Sequence, residues 1–352
     1  MKDNIVVIGG YGAVGGVISR NLAHYFPGKV IVAGRSWDKA EQLAKKLEHK
    51  VLPYQLDISD PENIVLPANT SLVIMCIDQD NARFVAQCIE RGIHYIDITA
   101  NQKLITEIEL LDDKAKKNEV SVILSVGLAP GITNLLVQQG INQLPESISA
   151  SISMVLGLGE KHGDAAYRWT FDNIHSSYIL MQNDKPVTVK SFSIPEKTTL
   201  LGNRRFYSFN FSDQHTLSKT TQLKQVVTRM AFDSEWITRG MAILRKTGLT
   251  RLFRFKMIQN SLIPIFKKLG IGSDVFGVKA EVVNSKGMRY SCSLTGYGEG
   301  KVTAYCAIET ALYLNDNPAL FGVKHSHQII KNIPDFLQRL KKYDETLQIS
   351  ID

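Results

Sequence analysis

The sequence predicts an α/β protein in which a doubly wound parallel sheet is followed by a second α/β (α+β) domain. Three observations predict it. An apolar, β-branched run, Asn4 to Ile8, opens the chain and breaks into glycines. The glycines lead straight into residues at helical spacing, Val14, Val17, Ile18 and Leu22. Near-continuous apolar runs then alternate with amphipathic stretches as far as Val126, the pattern of a parallel sheet covered on both faces.

The first junction is the most informative. Strand, turn and helix enclose Gly10-x-Gly12-x-x-Gly15, the spacing of a Rossmann dinucleotide fingerprint. Gly10 is expected to allow the sharp turn, Gly12 to let a pyrophosphate approach bare backbone, and Gly15 to bring the helix close to the strand. The phosphates would rest on unpaired N–H groups at the positive end of the helix. Gly10, Tyr11, Gly12, Ala13, Val14 and Gly15 are therefore the first cofactor candidates. A tight turn with no ligand is the alternative reading, because glycines also mark ordinary turns.

Lys29 to Ala33 reads as the second strand, ending at Gly34-Arg35-Ser36. A site that prefers NAD usually carries Asp or Glu here to hold the ribose 2′-OH. Arg35 can instead pair with a 2′-phosphate and Ser36 can donate to it, which favours NADP. Asp38 keeps NAD open, and Arg35 also reads as a solvated charge at a helix start. A helix over Trp37–His49 and a strand over Val51–Leu56 follow. Asp57 then either contacts adenine or caps a helix before Pro61. Strands are expected at Ser71–Ile77, His94–Thr99 and Val120–Val126, with helices over 81–91 and Gln102–Lys117. In such sheets ligands bind beyond the carboxyl ends of the strands. Ile77, Asp78, Asp97, Thr99, Asn101 and Gly127 occupy those ends.

Bulk properties bound the function. At 352 residues, two domains are expected. No apolar run reaches the roughly 20 residues of a membrane span, and the first strand begins too early to leave room for a signal peptide. Cys76, Cys88, Cys292 and Cys306 show no CxxC and no metal-ligand spacing, so no metal is expected and a reduced, cytoplasmic setting fits. The net charge of +7 is local: eight Lys and Arg and no acidic residue lie between Trp236 and Ser273, leaving the remainder close to neutral.

The sixth strand runs into Gly127-Leu128-Ala129-Pro130-Gly131-Ile132-Thr133-Asn134 and a helix over Leu135–Leu144. Pro130 and Gly131 permit a tight change of direction. Helix N–H groups there could hold a nicotinamide carboxamide or a substrate carboxylate; an interdomain hinge is the competing reading. With GGYGAVGG, VAGRS, HYIDIT and SVGLAPGITNLL in place, the chain resembles the saccharopine dehydrogenase-like oxidoreductases, in particular the saccharopine reductase branch. The resemblance is firm over about 1–145 and returns at Gly298–Lys301 and Phe321–Val323. Over about 150–290 it holds in outline only. It implies an NAD(P)-binding Rossmann domain over 1–130 and about 299–352. It implies a substrate-binding and dimerisation domain over 131–298, and a homodimer. It also implies hydride transfer at a carbon bonded to nitrogen in an amino-acid-derived imine or secondary amine.

Farther along, Ile148–Leu156 alternates like a strand of a sheet open on one side. A glycine-rich loop and a helix over Ala165–Met181 follow. Arg168 could clamp a substrate carboxylate, and Tyr167 or His175 could donate a proton. Each also reads as ordinary packing. Strands are expected at Lys185–Ile194 and Phe206–Phe211, a hairpin at Val275–Thr295, and helices at Val302–Leu314 and His325–Lys342. The basic insertion 236–273 has three readings. It is a helical segment with a solvated basic face, a lid or dimer element, or a peripheral contact with an anionic membrane. No nucleic-acid motif accompanies the charge.

The chemistry expected is hydride exchange between nicotinamide C4 and a C=N carbon, with one proton supplied or removed at nitrogen. Asp97 and Thr99 are the proton candidates from the first domain, and Tyr167, Arg168 and His175 from the second. A C=C or C=O reductase serving a biosynthetic assembly line is the first alternative. A non-enzymatic, membrane-associated nucleotide-binding protein is the other.

Overall fold

The computed structural model describes every residue except 1, 60–63, 161–163, 184, 270–271 and 352. It divides into two compact units, Met1–Ile132 with Gly300–Asn332, and Thr133–Glu299 with Ile333–Asp352.

The first unit begins with β1 (Asn4–Ile8), α1 (Ala13–Tyr25), β2 (Val30–Gly34), α2 (Trp37–Lys46) and β3 (Val51–Gln55). It continues through β4 (Thr70–Met75), α3 (Arg83–Glu90), β5 (His94–Asp97), α4 (Gln102–Glu109), α5 (Asp112–Lys117) and β6 (Ser121–Leu124). These strands lie in the order β6-β5-β4-β1-β2-β3, all parallel. Val6, Val7 and Ile8 of β1 and all four residues of β6 are buried, because helices cover both faces. Side chains set the helix starts: Ser36 accepts from Lys39 N at 3.3 Å to cap α2, and Asn101 accepts from Lys103 N at 3.1 Å to cap α4. The single helix expected over Gln102–Lys117 is two, broken at an exposed Leu110.

The second unit carries α6 (Thr133–Gln143), β7 (Ser147–Leu156), α7 (Asp164–Ile174), β8 (Ser177–Gln182), β9 (Lys185–Lys190), β10 (Glu196–Thr199) and β11 (Asn203–Ser208). Then come α8 (Ser212–Thr220), β12 (Gln225–Phe232), α9 (Glu235–Thr247), α10 (Lys256–Leu269), β13 (Val275–Asn284) and β14 (Arg289–Tyr297). The helix expected over Ala165–Met181 stops at Ile174. Residues 177–182 alternate, with Tyr178 and Leu180 buried and Ile179 and Met181 exposed, and so form a strand. Neither β12 nor α8 was anticipated. The pairing of β12 with β7 is parallel, and β13 and β14 form the expected antiparallel hairpin.

The chain closes with α11 (Glu299–Asp316), β15 (Gly322–His325), α12 (Ser326–Ile329), α13 (Ile333–Leu340) and β16 (Gln348–Ile351). Strand β15 adds to the first sheet beside β6 in parallel, and β16 adds to the second sheet beside β14. The return to the first unit thus covers Gly300–Asn332, and residues 333–352 belong with the second unit. His325 ends a strand and does not open a long helix. Its Nδ1 lies 2.9 Å from Ser125 Oγ and its Nε2 3.2 Å from Glu109 Oε1, while Ser326 Oγ donates to Ser125 O at 2.6 Å. These buried bonds fasten the returning chain to β6 and α4.

Candidate active site at the carboxyl ends of the first sheet

The left-handed residue of the first turn is Gly9, with φ +77°, and not Gly10 as the fingerprint suggests. A Cβ at Gly10 would come within 2.6 Å of Val7 O, so that glycine serves close packing instead. A Cβ at Gly15 would overlap the Gly9 carbonyl, which is why α1 can start so near the end of β1. At Gly12 the only neighbour an added Cβ would meet is Gly9 O, at 3.1 Å. Gly12 is also the N-cap of α1. No side chain caps that end and no acidic residue sits in the first turn. The N–H groups of Ala13, Val14 and Gly15 open the helix on this bare side, an arrangement that fits a diphosphate.

Tyr11 links this turn to the next strand. Its ring packs on Gly34, where a Cβ would come within 2.6 Å of it, and its hydroxyl accepts from Ser36 N at 3.1 Å. Arg35 is exposed at that corner, and its carbonyl accepts from Gln55 Nε2 at 3.0 Å. Asp57 folds back on itself, accepting from Ser59 N at 3.0 Å. That bond, with the Ser59 hydroxyl and the positive charge of Arg35, holds its carboxyl below the usual range. Asp57 thus makes a local turn, and the cap position before Pro61 lies outside the described residues. A guanidinium, a Ser36 hydroxyl and a backbone corner beside the glycine turn suit a ribose 2′-phosphate.

On the other side of β1, Ile77 packs against Gly9, and Cys76 N donates to Ile8 O at 3.0 Å. Asp78 follows it at the surface, its carboxyl raised by partial desolvation and by Asp80. One strand farther, Asp97 is buried, at 1% exposure. Its Oδ2 accepts from Tyr95 OH at 2.7 Å and Gln79 Nε2 at 3.0 Å, and its Oδ1 accepts from Thr99 N at 2.8 Å. Burial outweighs these bonds, Asp78 adds to it, and the Asp97 carboxyl is pushed up to about 7. Gln79 also donates to Tyr95 OH at 2.8 Å, and Thr99 Oγ1 accepts from Asn101 N at 3.1 Å. Sequence reasoning found Asp97 and Thr99 from their place at a strand end. It missed Tyr95, two residues before Asp97 on the same strand, and Gln79, whose role depends on β4 and β5 being neighbours.

At the end of β6 the chain turns through Gly127–Ile132, with a cis Ala129–Pro130 bond and Gly131 at φ +142°. Leu128 N donates to Thr303 Oγ1 of α11 at 3.2 Å, and Ile132 N to Gly127 O at 2.8 Å. The first unit therefore gathers Gly10–Gly15, Arg35, Ser36, Asp57, Ile77, Asp78, Asp97, Thr99, Gly127 and Pro130 along one row of strand ends.

The second unit does not bring its three candidates to one point. Tyr167 and Arg168 lie on α7, and His175 follows its far end. Arg168 donates to Gln259 Oε1 at 3.4 Å and Asn260 Oδ1 at 2.7 Å, both on α10. Tyr167 OH donates to Glu160 O at 3.5 Å. His175 is buried with Nδ1 2.6 Å from Thr250 Oγ1, and burial with Arg245, Arg254 and Arg251 pushes its pKa down. Arg254 Nη2 donates to His175 O at 3.3 Å and Arg245 Nε to Ser191 O at 3.0 Å. In the described bonds these side chains fasten the basic segment to its own unit.

The family described as saccharopine dehydrogenase NADP binding domain matches residues 5–123, which cover the glycine turn, the Arg35 corner and the Asp97 cluster. Among solved structures, the chain is similar to apo, histidine-tagged saccharopine dehydrogenase (L-Glu forming) from Saccharomyces cerevisiae. The TM-score is 0.63 at 14% identity over 99% of this chain and 100% of that one, a likeness of fold. A probable dehydrogenase from Thermotoga maritima matches with TM-score 0.47 at 10% identity over 99% and 98% of the two chains. Residues 5–123 thus match the saccharopine dehydrogenase NADP-binding domain family, and the chain shares the fold of saccharopine dehydrogenase.

Proposed function

We propose that the chain is an NADP-dependent oxidoreductase that moves hydride to or from a carbon bonded to nitrogen, in an imine or secondary amine derived from an amino acid. The observation that carries the reading is Asp97. It is a buried carboxyl, pushed up to about 7, in the same row of strand ends as the glycine turn and two strands from it. A group poised near neutrality can both give a proton to a C=N nitrogen and take one from an amine. When bound, the nicotinamide supplies or accepts the hydride. The chain's own residues do the remaining work. The Gly9–Gly15 turn and the start of α1 hold the diphosphate, and Arg35 with Ser36 holds the 2′-phosphate. Asp97 holds the proton, and its Oδ1 fixes the Thr99 backbone beside it. Tyr95 and Gln79 keep the Asp97 carboxyl in place. The reading gives no step to Tyr167, Arg168 or His175, and two identical subunits are its expected assembly.

The test is a panel. The purified chain is given NADP with N-substituted amino acids, and NADPH with 2-oxo acids in the presence and absence of an amine, and absorbance at 340 nm is followed. Oxidation of a secondary amine, or reduction of the oxo acid only when an amine is present, is the expected result. Reduction of a C=O or C=C substrate without amine would replace the proposal by the other reductase class.

A further inference from the structure

The segment from α9 to the first turn of α10 presents apolar side chains to solvent that a folded surface normally hides. Trp236 is 81% exposed, Ile243 63%, Phe255 59% and Met257 77%, with Leu249 and Leu252 about half exposed. They are not scattered. Residues 249–254 form a 3-10 helix, in which positions three apart share a face. Leu249 and Leu252 therefore stack on one side, and Phe255 continues the row as that helix ends. On α9, Trp236 and Ile243 are seven residues apart, two turns along one face. The exposed residues between them and beside the row are basic: Arg239, Lys246, Arg251, Arg254 and Lys256. No acidic residue occurs from Trp236 to Ser273, and Arg239 is met by Glu235, just outside that stretch, at 2.6 Å. Arg245 and Arg254 reach backbone carbonyls and tie the segment down. Arg251, Lys246 and Lys256 are exposed and form no ion pair among the described residues.

We infer that this face docks peripherally on an anionic lipid surface. The Leu249–Leu252–Phe255 row, with further exposed Trp, Ile and Met side chains on the adjoining helices and Lys and Arg beside them, matches the acyl boundary below and the phosphate headgroups above. A second copy of the chain fits less well. A two-fold contact would set the same Arg and Lys cluster against itself, and the segment's one carboxylate, Glu235, is already met by Arg239. No helix of the described residues is long and apolar enough to cross a membrane, so the contact lies on the surface.

The experiment is co-sedimentation of the full chain with vesicles of phosphatidylcholine alone and with 30% phosphatidylglycerol, in about 0.1 M salt. Wild type is expected to sediment with the anionic vesicles and to stay in solution with the neutral ones. Leu252→Ser with Phe255→Ser is expected to lower partitioning at least about tenfold. Arg251→Gln with Lys256→Gln is expected to lower it about 30-fold, at roughly 1 kcal/mol per basic residue. Both variants change exposed residues, and an unchanged melting temperature confirms folding. The inference is overturned if wild type ignores anionic vesicles at millimolar lipid. It is equally overturned if the variants bind as well as wild type. A wild-type dimer that the Leu252/Phe255 variant dissolves, without vesicle binding, would assign the face to a second copy.

Discussion

Replacing Gly12 with alanine is expected to cost at least ~100-fold in NADPH affinity, about 2.7 kcal/mol, while the fold survives. Gly12 sits at φ −73° and ψ −178°, extended backbone that any residue adopts, and its only close neighbour for a new methyl is Gly9 O at 3.1 Å. The methyl would occupy the bare side of the helix start, where a diphosphate must approach within hydrogen-bond distance of the N–H groups. The contrasting change is Gly15→Ala. Helix propensity alone favours alanine there by about 1 kcal/mol. The methyl would however overlap the Gly9 carbonyl and lie 2.9 Å from Gly10 Cα, backbone that cannot rotate away. Overpacking of this kind costs about 1–3 kcal/mol, so Gly15→Ala should lower the melting temperature and weaken binding together. Thermal melting and NADPH fluorescence on both variants separate the two effects. If Gly12→Ala binds NADPH like wild type, the diphosphate does not lie on this backbone.

The second large effect is at Asp97. Asp97→Asn is expected to lower turnover with the physiological substrate by 10²- to 10⁴-fold, the range of a lost general acid or base. The variant should also flatten the pH profile near 7, because the carboxyl that titrates there is gone. Stability gives a second readout. The folded carboxyl holds its proton up to about pH 7, whereas an unfolded aspartic acid releases it near 4. Between those values the folded state binds more protons, so this group's contribution to stability falls as pH rises through the window and is fully lost above 7. Asp97→Asn should remove that slope from the melting temperature measured between pH 4 and 8. Unchanged turnover would remove Asp97 from the mechanism even if the stability slope vanished, and would leave it as the anchor of Tyr95 and Thr99.

The first sheet was legible because each of its signals is local. The glycines follow a strand and open a helix, and the central buried strands β1, β2 and β4 are dominated by apolar runs. The alternation of run and amphipathic stretch leaves little choice of topology. Even there the turn's left-handed residue fell one position earlier than the fingerprint implies, since Gly9 and Gly10 are both glycine and only backbone geometry separates their tasks. The second unit hid its elements in polar sequence. Strand β12 carries Arg229 in its middle, and that charge becomes acceptable only through Glu196 Oε2 at 2.9 Å and Ser151 Oγ at 3.1 Å, residues distant in sequence. Helix α8 buries Ser212, Asp213, Gln214 and Thr216, with Asp213 accepting from Thr228 Oγ1 at 2.7 Å, so its inner face looks like a loop on paper. Tyr178 and Leu180 continued an aromatic helical pattern in the sequence and proved to be the inward side of β8. Of the partners of Asp97, Gln79 was invisible for a related reason, since it comes from beyond the neighbouring strand β4; Tyr95 lies two residues before Asp97 on β5, and the period-two alternation of a strand could have found it.

The most direct measurement is calorimetric titration of the folded chain with NADPH and with NADH, repeated on Arg35→Ala. Micromolar NADPH binding, weaker NADH binding and a loss of roughly tenfold or more for NADPH alone on removing the guanidinium are the predicted results. Binding of neither nucleotide at millimolar concentration would contradict the assignment of the glycine turn and, with it, every step placed at the neighbouring strand ends.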